Sequence, residues 1–580
     1  MTNFSVHFPL QEKTIEAPQG VSLAQAAALA GFPLNLVCGG RGSCGKCGVE
    51  IRDSRGRRRV LACRTPVEEP LEIFLQDADY RQQANILTGG SAGRQRRFDP
   101  AITKAYCSAD KLQPAYCGGY TELEDPLLLK KLGMILAGED YSGLTFIQEN
   151  GRILDIQNGD TSGLLYGAAC DIGTTSVALY IYDLTDGRLL KTCSALNRQI
   201  SHGADVISRI SFCVQDSGGT AELQKLIVDT INGLLAEAAG EVPELRENLY
   251  SLVFCGNTAM QHFLFGFYPG ALGHSPFASL SMAAQRCFGR EIGLTVPKRC
   301  PLVFLPLLGG FVGADITSVL LTIPEEEKLR LVIDLGTNGE IVLGRGGRLL
   351  AASTACGPAL EGSNLSCGMR GTKGAVERFA IREGKVSYRV IGDGPAAGIC
   401  GSGIVDLTAA LLLADLMDPT GRLLRREEYQ KLHPGSALAD RLADHEGTAA
   451  FYLTDRVFLD QKDIRQIQLA KSAICAGCLA LLAAYGVRLE EVDQLVLAGA
   501  FGNHIDVAAA LAIGLLPPLA PEKVLPIGNG AGQGAGLFLL DRSLAEKTGA
   551  IAAATEHCEL ACDPVFMEQY ILQMNFPDQQ

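Results

Sequence analysis

The sequence predicts an α/β protein built from several domains. Its 580 residues are too many for a single hydrophobic core, and a prior of about 150 residues per domain gives three or four units. A glycine-rich loop with cysteines lies near the amino terminus, and an acidic phrase of the form Asp-x-Gly-Thr occurs twice farther along the chain. Strand and helix patterns alternate around that phrase, as is typical of α/β domains. We therefore expect a small cysteine-bearing domain in front of a large α/β domain.

The amino-terminal cysteines have the spacing of a [2Fe-2S] ligand set. Cys38, Cys44 and Cys47 share a loop that contains five glycines, and Cys63 follows after fifteen intervening residues. Such a loop can direct backbone N–H groups at sulfur. Structural zinc prefers two separated pairs of ligands, which this spacing lacks, and a disulfide pair is the other alternative. The first gap is one residue longer than in plant-type ferredoxins, which leaves the ligand assignment intact.

The segments around this loop predict a ferredoxin-like β-grasp domain. Short strands are expected at 4–8 and 13–16, a helix at 22–30, and a closing strand at 71–74. We assign residues 1–87 to this domain.

A small middle domain is expected behind a flexible linker. Residues 88–101 are small, polar and basic, which is typical of a linker. Residues 102–160 combine an apolar helix pattern at 126–136 with strand patterns at 144–148 and 152–156, and therefore predict a small α+β domain. No chemistry can be assigned to it from the sequence.

Composition excludes some partners and compartments. Hydrophobic residues at 47% and charged residues at 20% are typical of a soluble globular chain, and a net charge of −13 argues against nucleic acid. The longest apolar stretch, 301–323, contains Asp315 and several prolines and glycines, so no membrane span is expected. Nineteen cysteines without a signal-peptide pattern in residues 1–20 predict a reducing, cytoplasmic environment.

The repeated acidic phrase predicts a phosphate site made by two related halves. It begins at Asp171 and again at Asp334, 163 residues later, each time between apolar strands. A strand-turn-strand hairpin of this kind exposes N–H groups that suit a phosphate, and the aspartate can hold a hydrated Mg²⁺. One copy is weak evidence, because aspartate and glycine form ordinary hairpin turns. Two copies at domain-sized spacing imply two halves that face each other across a cleft, and we assign residues 161–580 to them.

The pair of phrases resembles the two phosphate motifs of the acetate kinase, sugar kinase and actin superfamily. In that superfamily two ribonuclease-H-like halves clamp ATP, and a third motif contacts adenosine. The strand that runs into a small-residue turn at Gly499 resembles this third motif, although glycine there can equally serve close packing. The sequence contains no Gly-x-x-x-x-Gly-Lys-Ser/Thr, so a P-loop ATPase is not supported.

Over essentially all of its length the chain resembles the reductive activators of corrinoid-dependent enzymes. These proteins fuse a ferredoxin domain, a linker, a small middle domain and an actin-like ATPase domain. The resemblance rests on the cysteine loop, the second phosphate motif extended to Glu340, and the segments 255–260, 309–315, 399–403 and 574–577. It implies ATP-dependent transfer of one electron from the [2Fe-2S] cluster to the inactive Co(II) corrinoid of a methyltransferase corrinoid protein, which restores Co(I).

The resemblance also implies roles for individual residues. Ser402, between two glycines on what we expect to be an exposed turn, is the candidate for reaching the cobalt or the corrinoid edge; a helix N-cap or a tight-packing turn is the alternative. The expected cluster ligands are Cys38, Cys44, Cys47 and Cys63; Asp171 and Asp334 position Mg²⁺ or the attacking water; Gly173, Thr174, Thr175, Gly336, Thr337 and Asn338 cradle the phosphates; and Gly499 borders adenosine.

The implied partners are a corrinoid protein, a low-potential donor of the ferredoxin or flavodoxin type, and a second copy of the chain in a homodimer. Neither nucleic acid nor a membrane is expected. Two other functions remain open. One is activation of a different low-potential enzyme, as by the dehydratase activators, which hold a [4Fe-4S] cluster between subunits and lack a fused ferredoxin domain. The other is an ATP-binding redox sensor.

Overall fold

The structure is a computed structural model in which the described residues form four hydrophobic cores. Each domain has its own hydrophobic core, and the two largest cores belong to the two carboxy-terminal halves. The residues that the structure describes are 2–32, 34, 42, 47–76, 97–110, 125–138, 141–203, 205–324, 326–336, 338–362, 364–499 and 505–578.

The amino-terminal domain is a β-grasp, as predicted. Its five strands lie in the order β2-β1-β5-β3-β4, with β1 and β5 parallel and the other pairs antiparallel. Helix α1 begins after Ser22, whose hydroxyl accepts a hydrogen bond from the Gln25 backbone in a capping box. The elements are β1 Asn3–Phe8, β2 Lys13–Pro18, α1 Leu23–Leu29, β3 Gly48–Asp53, β4 Gly56–Leu61 and β5 Leu71–Phe74.

A three-stranded antiparallel sheet and one helix follow. Helix α2 begins after Asp125, which caps it, and buries Leu128 and Leu132 against the sheet. The helix and strand predictions for this segment are therefore confirmed, whereas its limits at 102 and 160 stay a prediction. The elements are β6 Ile102–Ser108, α2 Pro126–Leu136, β7 Gly143–Glu149 and β8 Arg152–Asn158.

The first large sheet has the strand order of a ribonuclease-H-like half. Strands β9, β10 and β11 form an antiparallel meander, and β12 and β14 continue the sheet in parallel with β9, so the order is β11-β10-β9-β12-β14-β13. The elements are β9 Tyr166–Ile172, β10 Ser176–Asp183, β11 Leu189–Leu196, α3 Val206–Gln215, α4 Gly219–Glu241, α5 Leu245–Asn248, β12 Leu249–Gly256, α6 Thr258–Phe265, β13 Gln285–Phe288, β14 Pro301–Phe304 and α7 Ala314–Thr322.

The second large sheet repeats that plan. An antiparallel meander of β15, β16 and β17 is joined in parallel by β24 and β25, which gives the order β25-β24-β15-β16-β17-β26 and confirms two related halves. Two small sheets, β18–β20 and β21–β23, are inserted. The elements are β15 Arg330–Leu335, β16 Gly339–Arg345, β17 Arg348–Thr354, β18 Ala375–Arg382, β19 Lys385–Val390, β20 Gly398–Ile399, α8 Gly401–Leu413, α9 Arg426–Leu432, β21 Leu442–His445, β22 Thr448–Tyr452, β23 Phe458–Asp460, α10 Gln461–Tyr485, β24 Gln494–Ala498, α11 Val507–Ala512, β25 Val524–Gly528, α12 Gly530–Leu540, α13 Leu544–Ala554, β26 Thr555–His557 and α14 Pro564–Leu572.

Helix α12 ties the two halves together. It follows β25 of the second sheet but packs on β9 and β12 of the first sheet and on helix α7. The approach to α7 is so close that a Cβ atom on Gly534 would collide with the backbone carbonyl of Ser318. At the start of the helix, the Asn529 amide donates to the Tyr180 hydroxyl across 3.0 Å. The two halves are therefore joined by a helix–helix contact that only glycine permits.

Helix α10 is the one described element with the length and apolar character of a membrane span. In its 18-residue apolar stretch, 78% of the residues are buried inside the protein. It packs on β16 and β17 of the second sheet and on α14. This is the burial of a core helix.

The close contact at Gly534 gives a test of the fold. Gly534→Ala forces a methyl group into a backbone carbonyl, and we expect the free energy of unfolding to fall by about 1–3 kcal/mol. The matched control is Gly233→Ala in helix α4, where a Cβ atom meets nothing within 4 Å and the helix gains about 0.5–1 kcal/mol. Thermal unfolding followed by circular dichroism measures both. Equal shifts for the two variants would contradict the packing described for α7 and α12.

Candidate functional site

A cavity of about 450 Å³ lies between the two halves, and both acidic hairpins open into it. The structure thus brings together segments that are more than 150 residues apart in the sequence. Thr337 lies outside the described residues. The predicted site residues that line the cavity are Asp171, Gly173, Thr174, Thr175, Asp334, Gly336, Asn338, Ser402 and Gly499.

Three polar side chains fix the first hairpin turn, between β9 and β10. The Asn197 amide donates to the Gly173 carbonyl at 2.9 Å, and the Arg209 guanidinium donates to the Thr174 carbonyl at 2.5 Å. The Asn257 amide donates to the Thr174 hydroxyl at 2.9 Å. These bonds hold the turn in one shape before any ligand binds.

Arg209, like Asn197, is completely buried. Its side chain also donates to the Gly203 carbonyl at 2.9 Å and to the Gln199 side chain at 3.2 Å. Burial lowers the pKa of Arg209 to about 9. Sequence reasoning missed Arg209 and Asn197, because neither belongs to a recognisable local motif; Asn257 lies in segment 255–260.

The second hairpin turn is closed by backbone and packing contacts. The Gly336 N–H donates to the Asn338 carbonyl at 3.0 Å. Gly499 approaches this hairpin so closely, with φ near +111°, that a Cβ atom there would collide with the Leu335 carbonyl. Close packing therefore explains the glycine at 499, and the residue also lines the cavity. Its contact with adenosine stays a prediction.

Four carboxylates crowd the floor of the cavity. Asp171 is the second-last residue of β9. Asp334 lies directly opposite Glu340 in the register of β15 and β16, and Asp315 lies in the first turn of α7. Burial, reinforced by neighbouring negative charge, raises the pKa of Asp334 to about 8 and that of Asp171 to about 7. Burial raises the pKa of Asp315 to about 6, and that of Glu340 well above its usual range.

Sequence reasoning missed Asp315 and Glu340 as site residues. The signal was present, because both lie in segments that carried the family resemblance: Asp315 ends 309–315, and Glu340 ends the extended second phosphate motif. The sequence alone could not show that the two side chains meet Asp171 and Asp334.

The carboxylate floor fits a magnesium ion bound together with phosphates. Carboxylate oxygens are the ligands that Mg²⁺ prefers, usually one or two of them alongside water and phosphate oxygens. Among the described residues no group of three or more acidic, histidine or cysteine side chains is arranged to hold a metal ion by itself. An ion here would therefore need oxygens from a nucleotide or from water.

Ser402 does not lie on an exposed turn, and that prediction was wrong. The residue is 3% exposed and belongs to the first turn of α8, where its hydroxyl donates to the Glu377 carbonyl at 2.9 Å. The N-cap is Cys400, and a Cβ atom on Gly403 would collide with the Val376 carbonyl. The glycine at 403 therefore reflects close packing of the helix against β18.

Two of the four predicted cluster ligands are described, and they lie side by side. The Sγ atoms of Cys47 and Cys63 are 3.2 Å apart, well beyond the roughly 2.05 Å of a disulfide. Their chain segments are joined by a hydrogen bond from the Ala62 N–H to the Cys47 carbonyl at 2.9 Å. Two thiolates at this spacing can bind one iron ion, so the pair fits the predicted cluster. Cys38 and Cys44 lie outside the described residues.

Comparison with known proteins agrees with this architecture. Residues 8–68 match the 2Fe-2S iron-sulfur cluster binding domain, residues 166–325 the RACo middle region, and residues 328–580 the C-terminal domain of RACo, the ASKHA domain. The family's middle region thus corresponds to the first ribonuclease-H-like half, whereas the domain that we predict at 102–160 precedes it.

Similar proteins are found along the whole chain. The corrinoid activation enzyme RamQ of Eubacterium limosum is 38% identical over 599 residues, which cover 99% of each chain. The [Co(II) methylated amine-specific corrinoid protein] reductase of Methanosarcina barkeri is 23% identical over 450 residues, or 71% of this chain and 77% of the relative. A solved reductive activator for corrinoid, iron-sulfur protein superposes with a TM-score of 0.74 at 29% identity, covering 99% of this chain and 98% of that one.

The fold and the site define a ferredoxin domain fused to an ATP-binding domain of the ASKHA class. The chain belongs to the family of corrinoid activation enzymes, because the similarity to one of them extends from end to end. The predicted [2Fe-2S] and ATP cofactors are thereby confirmed at the level of the domains that hold them.

The raised pKa values predict how stability depends on pH. The pKa values of Asp171 and Asp334 lie at about 7 and 8 in the folded protein, against an ordinary 3.8. The folded chain therefore holds protons that the unfolded chain releases above pH 4. The free energy of unfolding of the nucleotide-free protein should accordingly fall as pH rises toward 8.

The variant Asp334→Asn tests this dependence. At pH 8 we expect its free energy of unfolding to exceed that of wild type by about 1 kcal/mol or more, since each unit of pKa shift corresponds to about 1.4 kcal/mol. It should also flatten the decline between pH 6 and 8 and lose the stabilisation by MgATP. The control is the exposed Asp455→Asn, which should follow wild type. Unfolding temperatures that fall equally with pH in wild type and Asp334→Asn would refute the raised pKa of Asp334.

Proposed function

We propose that this chain is an ATP-dependent one-electron reductase for corrinoid proteins. It transfers one electron from its [2Fe-2S] cluster to the inactive Co(II) corrinoid of a methyltransferase corrinoid protein and restores Co(I). The observation that carries this proposal is end-to-end similarity, at 38% identity, to a corrinoid activation enzyme. A cluster-binding domain and a nucleotide cleft in one chain support it independently.

Cys38, Cys44, Cys47 and Cys63 are the proposed ligands of the cluster. The 3.2 Å separation of the Cys47 and Cys63 sulfurs supports the assignment of these two to the same iron. When bound, a cluster of the plant type supplies one electron at roughly −400 mV. The Co(II)/Co(I) couple is expected to be lower, so the transfer needs energy from outside.

The cleft residues are proposed to supply that energy by binding ATP. Asp171 and Asp334 position Mg²⁺ or the attacking water, while Gly173, Thr174, Thr175, Gly336, Thr337 and Asn338 cradle the phosphates and Gly499 borders adenosine. Their convergence on one cavity supports these roles for all but Thr337. Nucleotide can drive the electron only if it changes the relative affinity of the protein for the Co(II) and Co(I) partner.

A short route joins the phosphate turn to the cluster domain. Asn197, which holds Gly173, is followed by the turn Arg198–His202, and residues of helix α1 approach this turn to within 8 Å between Cα atoms. Helix α1 is bonded in turn to the segment that precedes Cys63, through the Ala24 N–H and the Ala62 carbonyl at 3.1 Å. This route supports mechanical coupling between nucleotide and cluster.

Ser402 remains our proposed contact with the cobalt or the corrinoid edge. Because its hydroxyl is buried and bonded to the Glu377 carbonyl, contact with a corrinoid requires the first turn of α8 to be uncovered. We further propose a ferredoxin or flavodoxin as the electron donor, a homodimer as the assembly, and the cytoplasm as the compartment.

The test is reduction of a corrinoid protein under anaerobic conditions. The protein, a strong chemical reductant and MgATP are mixed with Co(II) corrinoid proteins from methyltransferase systems, and Co(I) is followed by its visible spectrum. We expect Co(I) to form only when both the protein and MgATP are present. Binding and hydrolysis of ATP without Co(I) formation with any of them would instead favour a redox sensor.

The cysteine variant Cys63→Ser separates the role of the cluster from the binding of nucleotide. It should lose the visible spectrum of the cluster and Co(I) formation, while its affinity for MgATP stays within about threefold of wild type. The control is Cys562→Ser, an exposed thiol far along the chain, which should retain the cluster and the activity. An intact cluster spectrum in Cys63→Ser would overturn the ligand assignment.

A further inference from the structure

The nucleotide cavity is strongly acidic for a site that accepts a polyphosphate. Six carboxylates line it: those of Asp171, Asp315, Asp334, Glu340, Glu361 and Glu377. Among the described residues of its wall, Arg370 is the one lysine, arginine or histidine. A magnesium ion brings the same two positive charges to a diphosphate and to a triphosphate. It therefore leaves the additional negative charge of the triphosphate without a partner.

Arg370 carries hydrogen-bonding capacity that the described residues leave unused. Its Nη1 atom is shielded from water and has no hydrogen-bond partner. Burial lowers the pKa of Arg370, and the nearby charge of Glu361 opposes that shift. A guanidinium has five donors in a planar fork that matches phosphate oxygens, and an unpaired buried donor is costly. A phosphate at this point would relieve that cost.

The backbone around Arg370 is fixed in advance. The Met369 N–H donates to the Ile399 carbonyl at 2.9 Å, and the Ile399 N–H donates to the Cys367 carbonyl at 2.8 Å. On the other side Gly362, at φ near +75°, approaches the backbone of Met369 so closely that a Cβ atom would collide with it. The arginine is therefore presented from a rigid loop, which limits the entropy lost when it binds a ligand.

Arg370 lies on the side of the second phosphate turn. Burial raises the pKa of the Cys356 thiol, and the negative charges of Glu340 and of Glu361, the neighbour of Arg370, add to the shift. The same thiol contacts the Gly336 carbonyl at 3.7 Å. Arg370 lines the same cavity as the turns at Gly173 and Gly336, so a phosphate chain that binds in this cavity is within its surroundings.

We propose that Arg370 binds the terminal phosphate of ATP and is the residue by which the cleft distinguishes MgATP from MgADP. This inference rests on the proposed function and adds the specificity-determining contact. Its physical basis is that the third phosphate of ATP brings charge and oxygens that ADP lacks, and that the shielded Nη1 of Arg370, which has no partner among the described residues, can donate to them.

The test measures the affinities of Arg370→Gln for MgATP and MgADP by isothermal titration calorimetry, without a corrinoid protein. Loss of a charge-assisted contact should weaken MgATP binding by about 10- to 100-fold. MgADP binding should change by less than about threefold. Arg370→Lys, which keeps the charge but not the fork, should recover part of the preference for MgATP.

The control is Arg382→Gln, which removes the same charge from the exposed end of β18. It should bind both nucleotides as wild type does. The visible cluster spectrum and the unfolding temperature without nucleotide establish that each variant is folded. If Arg370→Gln unfolds early, the milder Arg370→Lys carries the comparison, because it fills the same space.

The outcomes are distinct. Unchanged MgATP affinity in the Arg370 variants, or an equal loss for MgATP and MgADP, would overturn the proposed contact, since a merely structural arginine affects both nucleotides alike. Failure of the wild-type protein to bind MgATP at all would instead overturn the proposed function. A selective loss of MgATP affinity supports the contact whether or not Co(I) is formed.

Discussion

Burial of four carboxylates in one cleft, with repulsion between them added, is the constraint on which the rest of this structure depends. Asp171, Asp315, Asp334 and Glu340 meet where two sheets face each other, and burial holds their pKa values far above the ordinary range. Such a cluster is tolerable only if protons or a cation neutralise it. Under the proposed function, we expect the cleft to gain stability when a cation and phosphate bind there.

That effect needs rigid surroundings to reach the rest of the molecule. The first phosphate turn is held by Asn197, Arg209 and Asn257, and the halves are joined through α12 at a contact that leaves room only for glycine at 534. Packed interfaces of this kind switch between arrangements and do not deform continuously. Under the proposed function, these contacts connect a phosphate bound at the first turn to the turn Arg198–His202 and to the cluster domain beside it.

Separation of the two chemistries in one chain also has a physical reason. The cluster needs thiolates in a glycine-rich loop, whereas the nucleotide needs oxygen ligands and backbone N–H groups. The cluster domain has its own sheet, whereas the nucleotide cavity lies between the two large sheets, and contacts of α1 with the turn Arg198–His202 join them.

The sequence by itself determined the parts of this protein that local patterns encode. Cysteine spacing indicated the [2Fe-2S] domain, the repeated Asp-x-Gly-Thr phrase indicated two phosphate turns, and apolar periodicity gave helix α2 at its observed limits. Only the tertiary structure could decide what depends on distant segments meeting: that Asp315 and Glu340 join the acidic floor, that Arg209 supports a turn 35 residues away, and that Ser402 is buried. Glycines around a serine are equally compatible with an exposed turn and a packed helix, because the local sequence does not specify which backbone will lie against it.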